Sequence, residues 1–235
     1  MEISRRSFLA VSGGVLATGC VRVFAEEQVP AAFDHMILGV NELERGIAFV
    51  EERTGVRAAF GGVHPGRGTQ NALAALGGRR YLEIMAPDPK QTKVTQRPEM
   101  VGMREPRLIG WALHVDDIAA VAAQAVEAGI GGVGPVDGSR VRPDGKTLRW
   151  KLFNLKEDRG GILPFFIEWS RDCAHPALDA PAGCELVRLA ATSTQPDEVA
   201  GVCRKLGVDL IVEPGDKTQL QARIAGPKGE IELTS

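Results

Sequence analysis

The sequence predicts an α+β fold built from repeated β-α-β-β-β units, and three observations predict it. An apolar strand pattern leading into a helical stripe occurs three times, beginning at residues 33, 108 and 185. Three further strand-like stretches follow each helix. Each unit closes on a strand carrying a glutamate among apolar neighbours: "YLEIM", "FIEWS" and "EIELT", with Glu83, Glu168 and Glu232.

The first unit opens on "FDHMILGV" (33–40). Asn41 can cap the helix that follows, with Glu44 three residues on. Leu43, Ile47 and Val50 make the buried stripe, and Gly55 ends the helix. Strands are expected around 56–61, 69–77 and 79–86. The second unit opens at 108–115, with Asp116 or Asp117 as cap. Ile118, Val121, Ala122, Ala125 and Val126 form its stripe, and Gly129 ends it. Strands are expected around 132–136, 146–154 and 163–169, with "PDGK" (143–146) as a turn. In the third unit, strand 185–192 leads to Pro196, suited to a first helical turn. Val199, Val202, Cys203 and Leu206 follow at helical spacing, and Gly207 closes. Strands near 209–213, 218–225 and 229–234 complete it. Residues 87–107 and 170–183 read as linkers.

The composition is that of a globular protein with a core: 235 residues, 44% hydrophobic and 25% charged. Net charge is −2 with no run of one sign, which argues against a nucleic-acid partner. The N-terminus differs. "SRRSFLAVSGGVLATGCVRVFA" pairs Arg5 and Arg6 ahead of Phe8 and Leu9, then runs through small apolar residues. It resembles a twin-arginine export signal over residues 1–25, cleaved after Ala25 and sending the protein to the periplasm. The apolar run is too short to span a membrane. Lipid attachment at Cys20 is the alternative, although Ala17 stands where a larger aliphatic residue is usual. Cleavage removes three arginines and one glutamate and takes net charge from −2 to −4. Cys173, Cys184 and Cys203 then remain, and an oxidising compartment permits a disulfide.

A buried ionised carboxylate without a partner costs several kcal/mol, of order 5. Glu83 and Glu168 therefore need a metal, an arginine or an open cavity. In a strand, alternate residues share a face, so Glu83 goes with Tyr81 and Met85, and Glu168 with Phe166. A second candidate is "HPGRGTQN" (64–71), a glycine-rich hairpin bringing His64, Arg67 and Asn71 together. These three are candidate ligands for a carboxylate, phosphate or sugar oxygen; His64 could alternatively supply a metal ligand. Trp111, Trp150 and Trp169 are core or cavity residues.

"FDHMILGV", "GGVHPGRGTQNAL", "YLEIMAP" and "LPFFIEW" resemble the glyoxalase-like domain family of the vicinal oxygen chelate superfamily. The resemblance covers roughly residues 32–235. It implies that two β-α-β-β-β modules (32–170) close a curved mixed sheet around a metal, with a third module at 184–235. The superfamily's ligands come from the first and last strands of each module. His35, twenty residues before Gly55, fits the first. Aligning "HMILGV" with "GWALHV" puts Gly110 where the second histidine is expected. His114 lies four residues on, roughly 13 Å away at strand rise, and reads as a strand-end histidine bonded to backbone or an aspartate.

The ligand set the resemblance implies is thus His35, Glu83 and Glu168, holding a divalent ion (Zn, Ni, Mn or Fe) with Glu168 as base or ligand. The implied function is an exported, metal-dependent isomerase, epimerase or lyase acting on a small oxygenated substrate. The alternative is a metal-free small-molecule-binding protein of the same fold, suggested by Gly110. The third module leaves a sheet edge to hide. It would either cover the first two modules as a lid or pair with another copy as a homodimer.

Overall fold

The computed structural model describes residues 28–235, so the export-signal reading of residues 1–25 lies outside the described residues. The first module is β1 (Phe33–Gly39), α1 (Leu43–Thr54), β2 (Ala59–His64), β3 (Thr69–Ala75) and β4 (Tyr81–Pro87). The second is β5 (Arg107–His114), α2 (Ile118–Glu127), β6 (Gly132–Val141), β7 (Thr147–Leu155) and β8 (Phe165–Trp169). Together they form one eight-stranded mixed sheet in the order β2-β3-β4-β1-β5-β8-β7-β6. Within each half the first strand runs parallel to the last, as β1 with β4 and β5 with β8. The halves join through the antiparallel β1–β5 pair.

The third segment, β9 (Glu185–Ser193), α3 (Pro196–Leu206), β10 (Ile211–Pro214), β11 (Gln219–Gly226) and β12 (Gly229–Thr234), keeps the element order. Its wiring differs: the strands lie in the order β10-β9-β11-β12, in a separate sheet. Here the crossover helix α3 returns the chain beside its own starting strand, β9 to β10 in parallel.

The helix stripes expected from spacing are buried on α1 and, except for half-buried Val202, on α3, but only in part on α2. Leu43, Ile47 and Val50 are buried on α1 and Val199, Cys203 and Leu206 on α3. On α2 only Ile118 and Ala125 of the stripe are buried. Asp117 caps α2, accepting from the backbone N–H of Ala119 and Ala120. Asn41 does not cap α1. The N-cap is Glu42, and Asn41 Oδ1 instead accepts from Arg45. Gly55 and Gly207 close α1 and α3 in the left-handed region.

One apolar core joins the outer face of the large sheet (Met36, Leu38, Leu82, Ile84), helices α1 and α3, and the inner face of the small sheet (Leu189, Ile231, Leu233). The third segment therefore packs on the helix side, against α1, and does not lie as a lid over the concave face. Cys184 and Cys203 are in this core, and all three described cysteines are free. Among the described residues no helix is long and apolar enough to cross a membrane.

The large sheet curls until its outer strands, β2 and β6, approach each other. Arg140 on β6 donates to the backbone oxygen of Gly61 on β2 and clasps the two edges. Glycine is required at this closure. Gly62 has φ +140°, and a Cβ there would lie 2.8 Å from the Val141 backbone oxygen. Gly62→Ala is expected to destabilise the fold by about 1–3 kcal/mol, read as a lower urea midpoint with an unchanged slope.

Candidate functional site

The concave face holds a small, half-open cavity of about 60 Å³. Its wall includes His35, His64, Arg67, Asn71, Tyr81, Glu83, Gln96, Arg140, Trp150, Phe165 and Trp169. Five of the six residues singled out from sequence meet here: His35, His64, Arg67, Asn71 and Glu83. The sixth, Glu168, does not.

Glu83 sits at the centre. Its side chain is buried, and Oε1 accepts from Asn71 Nδ2 at 2.7 Å. His35 Nε2 lies 3.8 Å from Oε2, and His64 Nε2 lies 3.8 Å from Oε1. Two imidazoles thus flank one carboxylate. His64 Nδ1 bonds to Thr69 Oγ1 at 2.8 Å. Burial pushes the His64 imidazole below its usual range, and the charges of Arg140 and Arg67 push the same way against the pull of Glu83. His64 is therefore neutral at pH 7.

His35 is held from behind. Its Nδ1–H donates to Asp34 Oδ1 at 2.6 Å, because an ionised carboxylate only accepts. That fixes the tautomer and leaves Nε2 facing Glu83. Tyr81 stacks on the ring at a centroid distance of 4.6 Å, and Phe165 meets it edge-on at 5.4 Å. Asp34 Oδ2 accepts from Trp169 Nε1 at 2.9 Å and from His175 Nε2 at 3.1 Å. Ala177 N–H donates to His175 Nδ1, which fixes that ring as well. Burial alone would raise the Asp34 carboxyl. The hydrogen bonds and charges of His175 and His35 outweigh it and hold the group below the ordinary carboxylate range.

A bulge makes this arrangement possible. On β1 the pairing runs Phe33 with Leu113, then His35 with Ala112, so Asp34 is an extra residue. Strand alternation would send Asp34 and His35 to opposite faces; the bulge lets both reach the concave side.

Strand register separates Glu168 from the cavity. β4 presents Tyr81, Glu83 and Met85 to the concave face, whereas β8 presents Phe165, Ile167 and Trp169. Glu168 lies on the opposite face with Phe166, where Oε2 accepts from the Ile118 N–H at the start of α2. The matching "LEI" and "IEW" motifs stand one residue out of step relative to their sheet faces, and one residue flips a side chain across the sheet. β1 pairs with β4 as His35 with Tyr81, and β5 pairs with β8 as Ala112 with Phe165. If Gly110 takes the place of His35, Phe165 takes the place of Glu83. Glu168→Gln is expected to cost about 0.5–2 kcal/mol of stability through the helix N-terminus, with ligand binding at the concave cavity unchanged by calorimetry.

The expected metal set is therefore not assembled. Among the described residues no group of three or more His, Cys, Asp and Glu side chains is arranged to hold a metal ion. The second half of the sheet offers Gly110 and Phe165 where donors are needed. A Cβ on Gly110 would lie 3.1 Å from an Arg97 guanidinium nitrogen, so a cation already fills that space. The donor set present does not fit the divalent ion that the sequence resemblance led us to expect.

His114 ends β5, half-exposed and outside the cavity, 3.8 Å from Asp34 Oδ2 and 3.5 Å from Asp116 Oδ1. Trp111 is core: its Nε1 donates to the Ile162 backbone oxygen. Trp150 and Trp169 line the cavity, with ring centroids 5.5 Å apart. Sequence reasoning missed Asp34, Gln96, Arg97, Arg140 and His175. Asp34 carried a readable signal, an acid inside an apolar strand, like that of Glu83. Arg97 and His175 lie in stretches read as linkers.

Two β-α-β-β-β halves curled around a concave polar site define the vicinal oxygen chelate fold. A family model described as a glyoxalase-like domain matches residues 33–207, and the chain belongs to that family. A hypothetical protein from Staphylococcus aureus shares 20% identity over 86% of this chain and 84% of that one, at a TM-score of 0.62. Methylmalonyl-CoA epimerase from Mycobacterium tuberculosis shares 20% identity over 63% of this chain and 94% of its own, at a TM-score of 0.44. A Streptomyces coelicolor methylmalonyl-CoA epimerase variant bound to 2-nitronate-propionyl-CoA shares 17% over 60% and 98%, also at 0.44. No curated protein matches the chain.

Proposed function

We propose that the protein is an isomerase or epimerase that moves a proton at a carbon of a small oxygenated substrate, with Glu83 as acid–base. The observation that carries this reading is the setting of Glu83: a buried carboxylate on the cavity wall, between two imidazoles whose Nε2 atoms each stand 3.8 Å away. A base must reach the proton it takes and be able to return it. Glu83 takes the proton from a carbon next to a carbonyl or carboxylate group, and the electron pair moves onto the substrate oxygen. His35, fixed by Asp34, holds the proton-accepting Nε2 towards Glu83, and Asn71 keeps the carboxylate oriented. Return of the proton to the opposite face gives epimerisation; return to a neighbouring carbon gives isomerisation. Export by the twin-arginine route is part of the proposal and rests on Arg5 and Arg6.

The test is exchange of a carbon-bound proton in deuterated water, followed by NMR, with D- and L-lactate, glycolate, malate and tartrate as probes. Exchange in the native protein that is lost in Glu83→Gln supports the reading. Exchange that persists in Glu83→Gln overturns it. A second reading, a binding protein without turnover, is favoured by the small cavity. It predicts ligand binding with no exchange in the native protein.

A further inference from the structure

The polar wall opposite His35 contains more cationic and hydrogen-bonding capacity than the protein itself uses. Arg140 is buried, and the one hydrogen bond described for its guanidinium goes to Gly61 O. Glu83 attracts it through space without a described hydrogen bond. Arg67 lines the same cavity, and no side-chain partner is described for it. Both guanidiniums act on His64, so both lie within electrostatic reach of the same imidazole.

Asn71 adds the opposite requirement. Its Nδ2 is committed to Glu83, and its Oδ1 is buried with no hydrogen-bond partner. Turning the amide over would set its oxygen against the carboxylate, so the orientation is fixed. A buried acceptor left unpaired costs about 1–3 kcal/mol, and such a group calls for a donor from a bound molecule. The point a Gly61 Cβ would fill lies 2.5 Å from Asn71 Oδ1 and 3.3 Å from Arg140 Nη1, which places the orphan acceptor beside the buried cation.

We propose that this wall binds a small 2-hydroxycarboxylate, its carboxylate on Arg67 and Arg140 and its hydroxyl donating to Asn71 Oδ1. The guanidinium groups supply the positive charge that a metal ion would otherwise bring, and binding is independent of divalent ions. The anion answers the two cations, and the hydroxyl answers the orphan acceptor. The small cavity limits the ligand to a few carbons. A guanidinium recognises a carboxylate through paired N–H donors, which gives orientation as well as charge. The proposal deepens the reading of Glu83 by naming the substrate class, and it rests on that reading only for turnover.

The experiment is titration calorimetry on the full chain in chelator-containing buffer, with glycolate, L-lactate, D-lactate and acetate as probes. A hydroxy acid is expected to bind, with acetate at least about tenfold weaker because it lacks the hydroxyl. Arg67→Met is expected to weaken the hydroxy acid by about tenfold or more. Arg140→Lys keeps the charge at the clasp while removing the fork, and should weaken binding in the same direction. Failure of every hydroxy acid to bind overturns the proposal, as does binding that appears only when manganese, nickel or zinc is added. Unchanged affinity in Arg67→Met, or acetate binding as tightly as glycolate, also overturns it. The two readings separate on the native protein and Glu83→Gln together: hydroxy-acid binding with no proton exchange in the native protein, or with exchange that persists in Glu83→Gln, keeps this proposal and removes the catalytic one.

Discussion

Glu83→Gln is expected to lower proton exchange by about 10²–10⁴-fold, the range for removing a positioned acid–base. The substitution is nearly isosteric, and the glutamine oxygen can still accept from Asn71 Nδ2, so the fold and ligand binding should be retained. What disappears is an atom able to take a proton from carbon and return it. Glu83→Ala should lose as much activity and, in addition, strand Asn71 Nδ2 without its acceptor, costing about 1–3 kcal/mol of stability. Comparing the two variants by exchange rate and by urea unfolding separates the chemical role from the structural one. Equal exchange in native protein and Glu83→Gln would assign the base elsewhere.

Asp34→Asn is expected to have the largest effect on stability, about 3–5 kcal/mol, the cost of breaking a buried charged network by removing one partner. Asp34 accepts from three fixed donors, on His35, His175 and Trp169. An asparagine keeps one oxygen and sets an amide NH₂ against donors that already need acceptors. The pH dependence follows from linkage. The folded Asp34 carboxyl lies below its ordinary value of 3.8, so the unfolded chain binds its proton first as pH falls. The contribution is therefore full above about pH 4–5 and is lost as pH drops through 3.8 towards the lower folded value. Unfolding free energies at pH 7 and pH 3 should show the gap between native protein and Asp34→Asn narrowing at the lower pH. Exchange activity should also fall in the variant, because His35 loses the group that fixes its tautomer. A gap that is constant with pH would mean that the carboxylate charge is not what stabilises the site.

The local signals read well wherever one strand or helix sufficed to make them. Helical stripes on α1 and α3, the Asp117 cap and the glycine stops depend only on neighbours three or four residues away. His35 and Glu83 were legible because each interrupts an apolar strand, and the hairpin residues His64, Arg67 and Asn71 because glycines bring them close. Glu168 misled for the same reason: its motif looks like that of Glu83, yet which face a strand residue takes depends on register with its partner. His175 and Arg97 gave no signal, since each reaches its place from an irregular segment whose path is set by tertiary packing.

By itself, then, the sequence determined the three β-α-β-β-β element orders, the paired modules and the residues of one wall of the site, because periodicity and turn chemistry are local. The tertiary structure decided the rest. Pairing in β8 turned Glu168 outward, a bulge turned Asp34 inward, and curling of the large sheet brought Arg140 from β6 onto β2. The strand order of the third segment placed it behind the helices instead of over the cavity. Each of these depends on contacts between residues far apart in the chain, and the free energy that selects among them comes from burial and pairing across strands, not from any stretch read alone.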